Sequence, residues 1–188
     1  MADTRTEIVD IAEQLIQQVG CNAFSYRDIS ERIGIKTASI HYHFPSKDDL
    51  VLEVISRYRE SFNEALLSLR EGESSGLKQI QGIGKLVLAC FDHGKGFCTA
   101  ASLASDENTV TNQVRDAVQL FFRDFASAIK KALESARSTG ELRDGIDISL
   151  TATAAVSLLE GAMLLARTQQ SDKPIRDVLR WLEGILTE

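Results

Sequence analysis

A chain of 188 residues, 44% hydrophobic and 26% charged, has the length for one large or two small domains and the composition of an ordinary globular protein. Its net charge of −6 excludes a global positive field, so any affinity for nucleic acid has to come from a local patch. The odd count of three cysteines argues against a disulfide framework. The opening MADTRTEIVDIAEQL is acidic and lacks the basic and apolar regions of an export leader, so reduced thiols and a cytoplasmic setting are expected.

Only two prolines occur and apolar residues recur at helical spacing, which predicts an all-α fold. Ile8, Ile11, Ala12, Leu15 and Val19 make one stripe of a first helix that Gly20 can end. Ser25 and Asp28 form a capping box, with Phe24 and Ile29 placed as a hydrophobic staple. The helix so started buries Ile29 and Ile33 and stops at Gly34, a residue free to take positive φ. A short third helix runs from Thr37 to Phe44, ended by Pro45. Ser46 and Asp49 cap a long fourth helix reaching about Arg70. Beyond a loop at Glu71–Gly76, further helices are expected near Leu77–Phe91, briefly after His93–Ala100, along Val110–Leu133, and at Ile148–Arg167 and Lys173–Thr187. The span from Ile148 to Ala166 is apolar enough to suggest a membrane helix. Glu160 near its middle would be costly in lipid, so a helix buried in protein is expected.

Two short helices joined at a glycine are the layout of a helix-turn-helix, in which the second helix enters the major groove of DNA. Such a helix needs small or polar side chains at its start, and Thr37, Ala38 and Ser39 supply them. Phosphates need cations, hydroxyls and free backbone N–H groups. Tyr26, Arg27, Lys36, His41, Tyr42, His43 and Lys47 are the candidates. The first 47 residues nevertheless hold five cations against six acids, a balance of −1. A tri-helical module that merely packs, its polar face solvated, has the same spacing.

The segment resembles the DNA-binding domain of TetR-family transcriptional regulators through Ser25, Arg27, Ile29, Gly34, Ile35, Ser39, Ile40, His41, His43, Phe44, Ser46, Lys47 and Leu50. His41-Tyr42-His43 stands where the family more often has Tyr-x-Tyr. The resemblance implies a DNA-binding domain over residues 1–47 and a helical effector-binding and dimerisation domain over 48–188. By that similarity Thr37, Ala38 and Ser39 approach bases, and Tyr26, Arg27, His41, Tyr42, His43 and Lys47 hold phosphates. It implies a homodimer through the last two helices, about residues 148–167 and 173–187, on a palindromic double-stranded operator. Release by a small-molecule effector is implied too, making the protein a repressor. The small residues Ala152, Ala154, Ala155, Ser157, Gly161 and Ala162 and the apolar face of the last helix suit close helix packing. Candidate pocket residues are Phe62, His93, Phe97, Cys98, Phe121, Phe122, Phe125, Glu160, Met163 and Trp181. Aromatics at helical spacing are equally the material of an ordinary core.

Cys90, His93 and Cys98 suggest three metal ligands, but a structural zinc takes four, so no metal is expected. Cys98 beside Lys95 is alternatively a redox-sensing thiolate or an inert buried thiol. No organic or metal cofactor is implied. An enzyme is not indicated: Gly82–Lys85 lacks the spacing of a phosphate loop, and no hydrolase or metalloprotease motif occurs. A helical adaptor that binds protein through the head is the remaining rival.

Overall fold

The computed structural model describes residues 3–91, 96–106 and 108–187, and among these all regular structure is helical. The helices are α1 (Thr4–Val19), α2 (Tyr26–Ile33), α3 (Thr37–His43), α4 (Lys47–Gly72), α5 (Gly76–Phe91), α6 (Thr99–Ser105), α7 (Asn112–Ser138), α8 (Ile148–Gln169) and α9 (Lys173–Thr187). A 3-10 turn at Cys21–Ala23, not expected from the sequence, joins α1 to α2. The chain forms two compact units, residues 1–60 with 98–121, and residues 61–97 with 122–188.

In the first unit, α1 packs on α2, α3 and α6. Ile8, Ala12, Ile16, Ile29, Ile40, Leu50, Val54 and Ile55 are all fully buried there. Each large aliphatic group so buried contributes roughly 1.5–3 kcal/mol before chain entropy is subtracted. The capping box at Ser25 forms as its residue types require, and Asp28 also accepts from the Ser25 backbone N–H at 2.7 Å. Ser46 and Asp49 repeat the arrangement ahead of α4, with Ser46 N–H donating to Asp49 at 3.0 Å.

The second unit is built on α8 against α9, with α5 packed on both. Glycine sets the approach of α5: a Cβ on Gly76 would lie 2.2 Å from the Ala136 backbone nitrogen of α7 and 2.3 Å from the Ala132 carbonyl. No side chain fits there. Phe62 and Phe125 meet edge to face at 5.1 Å inside this unit. The loop after α7 is tied to α9 by Arg143 N–H donating to the Leu186 carbonyl at 2.9 Å.

Helix α8, expected to be buried in protein, is buried on one face. By length and composition it could cross a membrane, the one such helix among the described residues. Ala152, Ala155, Leu159, Ala162, Met163 and Ala166 are buried on one face, while Leu150, Leu158, Leu164 and Leu165 stand in solvent on the other. The same small and apolar residues fill both faces, so composition does not tell them apart.

Candidate DNA-recognition site

The site begins at the end of α2. Gly34 sits at φ 80°, a left-handed conformation that any side chain would strain, and its N–H donates to Ser30 at 2.9 Å. The chain turns through Ile35 and Lys36, whose carbonyl accepts from Ser39 N–H at 2.9 Å to start α3. Ile40 and Phe44, one turn apart, anchor this helix in the core. At 3.6 residues per turn, Ala38 and Tyr42 fall on the opposite side. Thr37, Ala38, Ser39, His41 and Tyr42 are exposed, Tyr42 at 85%. The outward face is therefore short, polar at its start and aromatic one turn on. That combination suits close approach to base edges with a hydroxyl held for the backbone.

The cations divide. Lys36 is exposed at the start of α3. Arg27 is exposed as well but pairs with Glu31 at 2.8 Å, a surface contact that holds its guanidinium in the charged form. Lys47 turns inward. Its ammonium donates to the carbonyls of Cys21 and Phe24, both at 2.5 Å, and lies 4.1 Å from the centre of the Phe24 ring. Tyr26 is buried too, and its hydroxyl sits 2.5 Å from the Ser46 carbonyl and 3.0 Å from that of Phe44. Burial, with Asp49 and Asp48 nearby, pushes its phenol up to about 12. Tyr26 and Lys47 thus tie the turns on either side of the helix pair to each other. His41 rests against the Tyr26 ring at 4.7 Å, and His43 against Tyr42 at 5.2 Å.

A further brace escaped the sequence reading. Asp106, just past the end of α6, accepts from Cys21 N–H at 2.8 Å and from the Asn22 amide at 2.9 Å, fixing the link between α1 and α2. Gln17 of α1 donates to Thr99 of α6 at 3.0 Å beside Glu13, whose carboxyl is pushed up chiefly by burial and pulled down by Arg57. Each of these partners is more than 80 residues away, and no local signal marks it.

The expected effector residues fall in both units. Cys98 and Phe121 belong to the first unit, where Phe121 packs on Tyr58 at 5.2 Å and the Cys98 sulfur accepts from Ala101 N–H at the start of α6. Phe62, Phe97, Phe122, Phe125, Glu160 and Met163 belong to the second. Phe97 there lies under the Arg167 guanidinium at 5.2 Å. Trp181 is 54% exposed on α9. His93 lies outside the described residues, and among those residues no three His, Cys, Asp or Glu side chains cluster to hold a metal.

Two family models match the chain: bacterial regulatory proteins, tetR family, over residues 8–54, and tetracyclin repressor-like, C-terminal domain, over residues 76–182. The HTH-type transcriptional repressor KstR2 of Rhodococcus jostii is 28% identical over 148 residues, covering 78% of this chain and 71% of that protein. A TetR-family transcriptional regulator from Agrobacterium tumefaciens superposes with a TM-score of 0.93 at 31% identity, over 98% of this chain and 97% of that one. A TetR transcriptional regulator from Legionella pneumophila gives 0.89, also at 31%, over 100% and 99%.

Proposed function

Because the chain belongs to the tetR family of bacterial regulatory proteins, and is a DNA-binding transcriptional regulator rather than an enzyme, we propose that it is a homodimeric repressor that a small molecule releases from a palindromic operator. The observation that carries the DNA reading is the outward face of α3, with Ala38 and Tyr42 opposite the buried Ile40 and Phe44. In this reading Thr37, Ala38 and Ser39 approach bases, and Lys36, His41, Tyr42, His43 and Arg27 contact phosphates. Tyr26 and Lys47 act by holding the helix pair in place, since their polar ends are already engaged inside the protein.

Dimerisation is supported by α8 and α9. Ala154, Leu158, Gly161 and Leu165 recur on the outward face of α8 at helical spacing, Leu165 being 54% exposed. Among the described residues, beyond its own helix backbone and chain neighbours, nothing lies within 4 Å of where a Gly161 side chain would start, so a partner helix can come close. Two copies meeting there would set half-sites about one DNA turn apart, ~34–36 Å. We assign the effector to the second unit, beside Phe62, Phe97, Phe122, Phe125, Glu160 and Met163, a reading supported by the burial of Phe62, Phe97, Phe125 and Met163 in that unit. A coupling of ~1–3 kcal/mol between effector and operator is typical for such regulators.

The test is selection of fragments from the source genome by the purified protein and by a variant with Arg27, His41 and Tyr42 changed to Ala. All three side chains are exposed, so the fold survives the change. Enrichment of a palindrome by the native chain alone is the expected result. Equal, sequence-independent retention by both proteins would sink the operator reading.

A further inference from the structure

We propose that the groove between α5 and α9 binds an amphipathic anion, a small molecule with an apolar tail and an acidic head. The groove encloses about 420 Å³, within the range of small-molecule sites. It shares no residue with the aromatic set assigned to the effector. Its floor is apolar, with Ile80 and Leu88 from α5 facing Leu179 of α9. The two helices close on each other at Gly84, where a Cβ would lie 2.5 Å from the Leu179 side chain.

The charge of the rim decides the occupant. Lys85, Arg176 and Arg180 line the rim with Glu183, and two acids outside the lining, Asp172 and Asp177, answer the arginines, in a chain whose net charge is −6. Glu183 is engaged by the Gln81 amide at 2.9 Å. Arg176 is held by Asp172 at 2.7 Å and Arg180 more loosely by Asp177 at 3.5 Å. Lys85 is exposed and forms no ion pair among the described residues. An acid head seated on Lys85, with Arg180 swinging toward it, leaves the tail on the leucines. A neutral apolar ligand would leave the cations unused, and a cationic one would meet them with repulsion.

A second copy is not the occupant. Trp181, with Val178 and Ile185, lies roughly 160° around α9 from Arg176, Arg180 and Glu183 at 3.6 residues per turn. A dimer seated on the Trp181 face therefore leaves the groove open.

Calorimetric titration of the intact protein with decanoate tests this, with decyltrimethylammonium and acetate as probes of head and tail. Decanoate should bind at one site per chain, and the other two should not. Lys85→Glu and Arg180→Glu, both at exposed positions, should each weaken decanoate about tenfold or more, as loss of a charge-assisted contact does. Circular dichroism of the two variants should match the native chain. Equal binding of the cationic and anionic probes, no decanoate binding, or unchanged affinity in Lys85→Glu would each overturn the proposal. A changed sedimentation coefficient in Lys85→Glu would give the groove to a second copy and overturn it as well.

Discussion

The outward face of α3 and the outward faces of α8 and α9 are both open to water, yet they are made of opposite materials. On α3 stand Thr37, Ala38, Ser39, His41 and Tyr42; on α8 and α9 stand Leu150, Leu158, Leu164, Leu165 and Trp181. A surface that must leave its partner and return is polar, because its attraction rests on charge that salt can screen. Exposed leucines and a tryptophan are uncomfortable in water and suit a lasting partner of the same kind. Exposure alone says little about use. The chemistry of what is exposed says much more.

Salt should separate the two surfaces most widely. Raising ionic strength from about 50 to 200 mM should weaken operator binding roughly a thousandfold if six or more phosphates are contacted per complex, while the dimer constant stays within about twofold. Fluorescence anisotropy on a labelled operator and sedimentation equilibrium measure the two quantities. A salt-sensitive dimer would erase the contrast.

Leu165→Asp attacks the apolar surface directly. In a symmetric dimer it places two unpaired charges in the interface, and association should weaken by roughly a hundredfold or more. Analytical ultracentrifugation should show monomer at micromolar concentration with unchanged helicity. A dimer of native strength would move the interface elsewhere.

The smallest expected effect sharpens the polar side, because it concerns a polar group that does not face outward. Tyr26→Phe should lower stability by about 1 kcal/mol through loss of the hydroxyl's bond to Ser46 and Phe44, and the looser helix pair should weaken operator binding. The phenol's folded value, about 12, lies above its ordinary 10, so its contribution is complete below pH 10. It is lost as pH rises from 10 through 12. Denaturant titrations across that range should show the gap between native and variant closing. A constant gap would mean the hydroxyl's bonds are not what Tyr26 supplies.

Local chemistry was legible in the sequence, and long-range chemistry was not. Ser25 with Asp28 and Ser46 with Asp49 announced their helices because a capping box is satisfied within four residues. Gly34 announced its turn because only a missing Cβ makes φ 80° easy. Tyr26 and Lys47 looked like phosphate ligands, since nothing nearby in sequence reveals that carbonyls of Phe44, Ser46, Cys21 and Phe24 converge on them. The two faces of α8 looked alike because the same alanines and leucines serve burial within the chain and exposure outside it. Within the aromatic set, spacing along helices did not reveal which rings meet: Phe121 packs on Tyr58 and Phe125 on Phe62.

Asp106 bears on the order in which the protein comes into being. The three helices that present the recognition face are all made by residue 43, but the carboxylate that fastens Cys21 and Asn22 is made some sixty residues later. A nascent chain emerging from the ribosome carries a head whose first joint is still unfastened, whereas a domain at the N-terminus normally finishes before the later ones are made. Here the middle of the chain completes the beginning. A fragment ending after α4 would carry every side chain of the recognition face and still lack the clasp behind it.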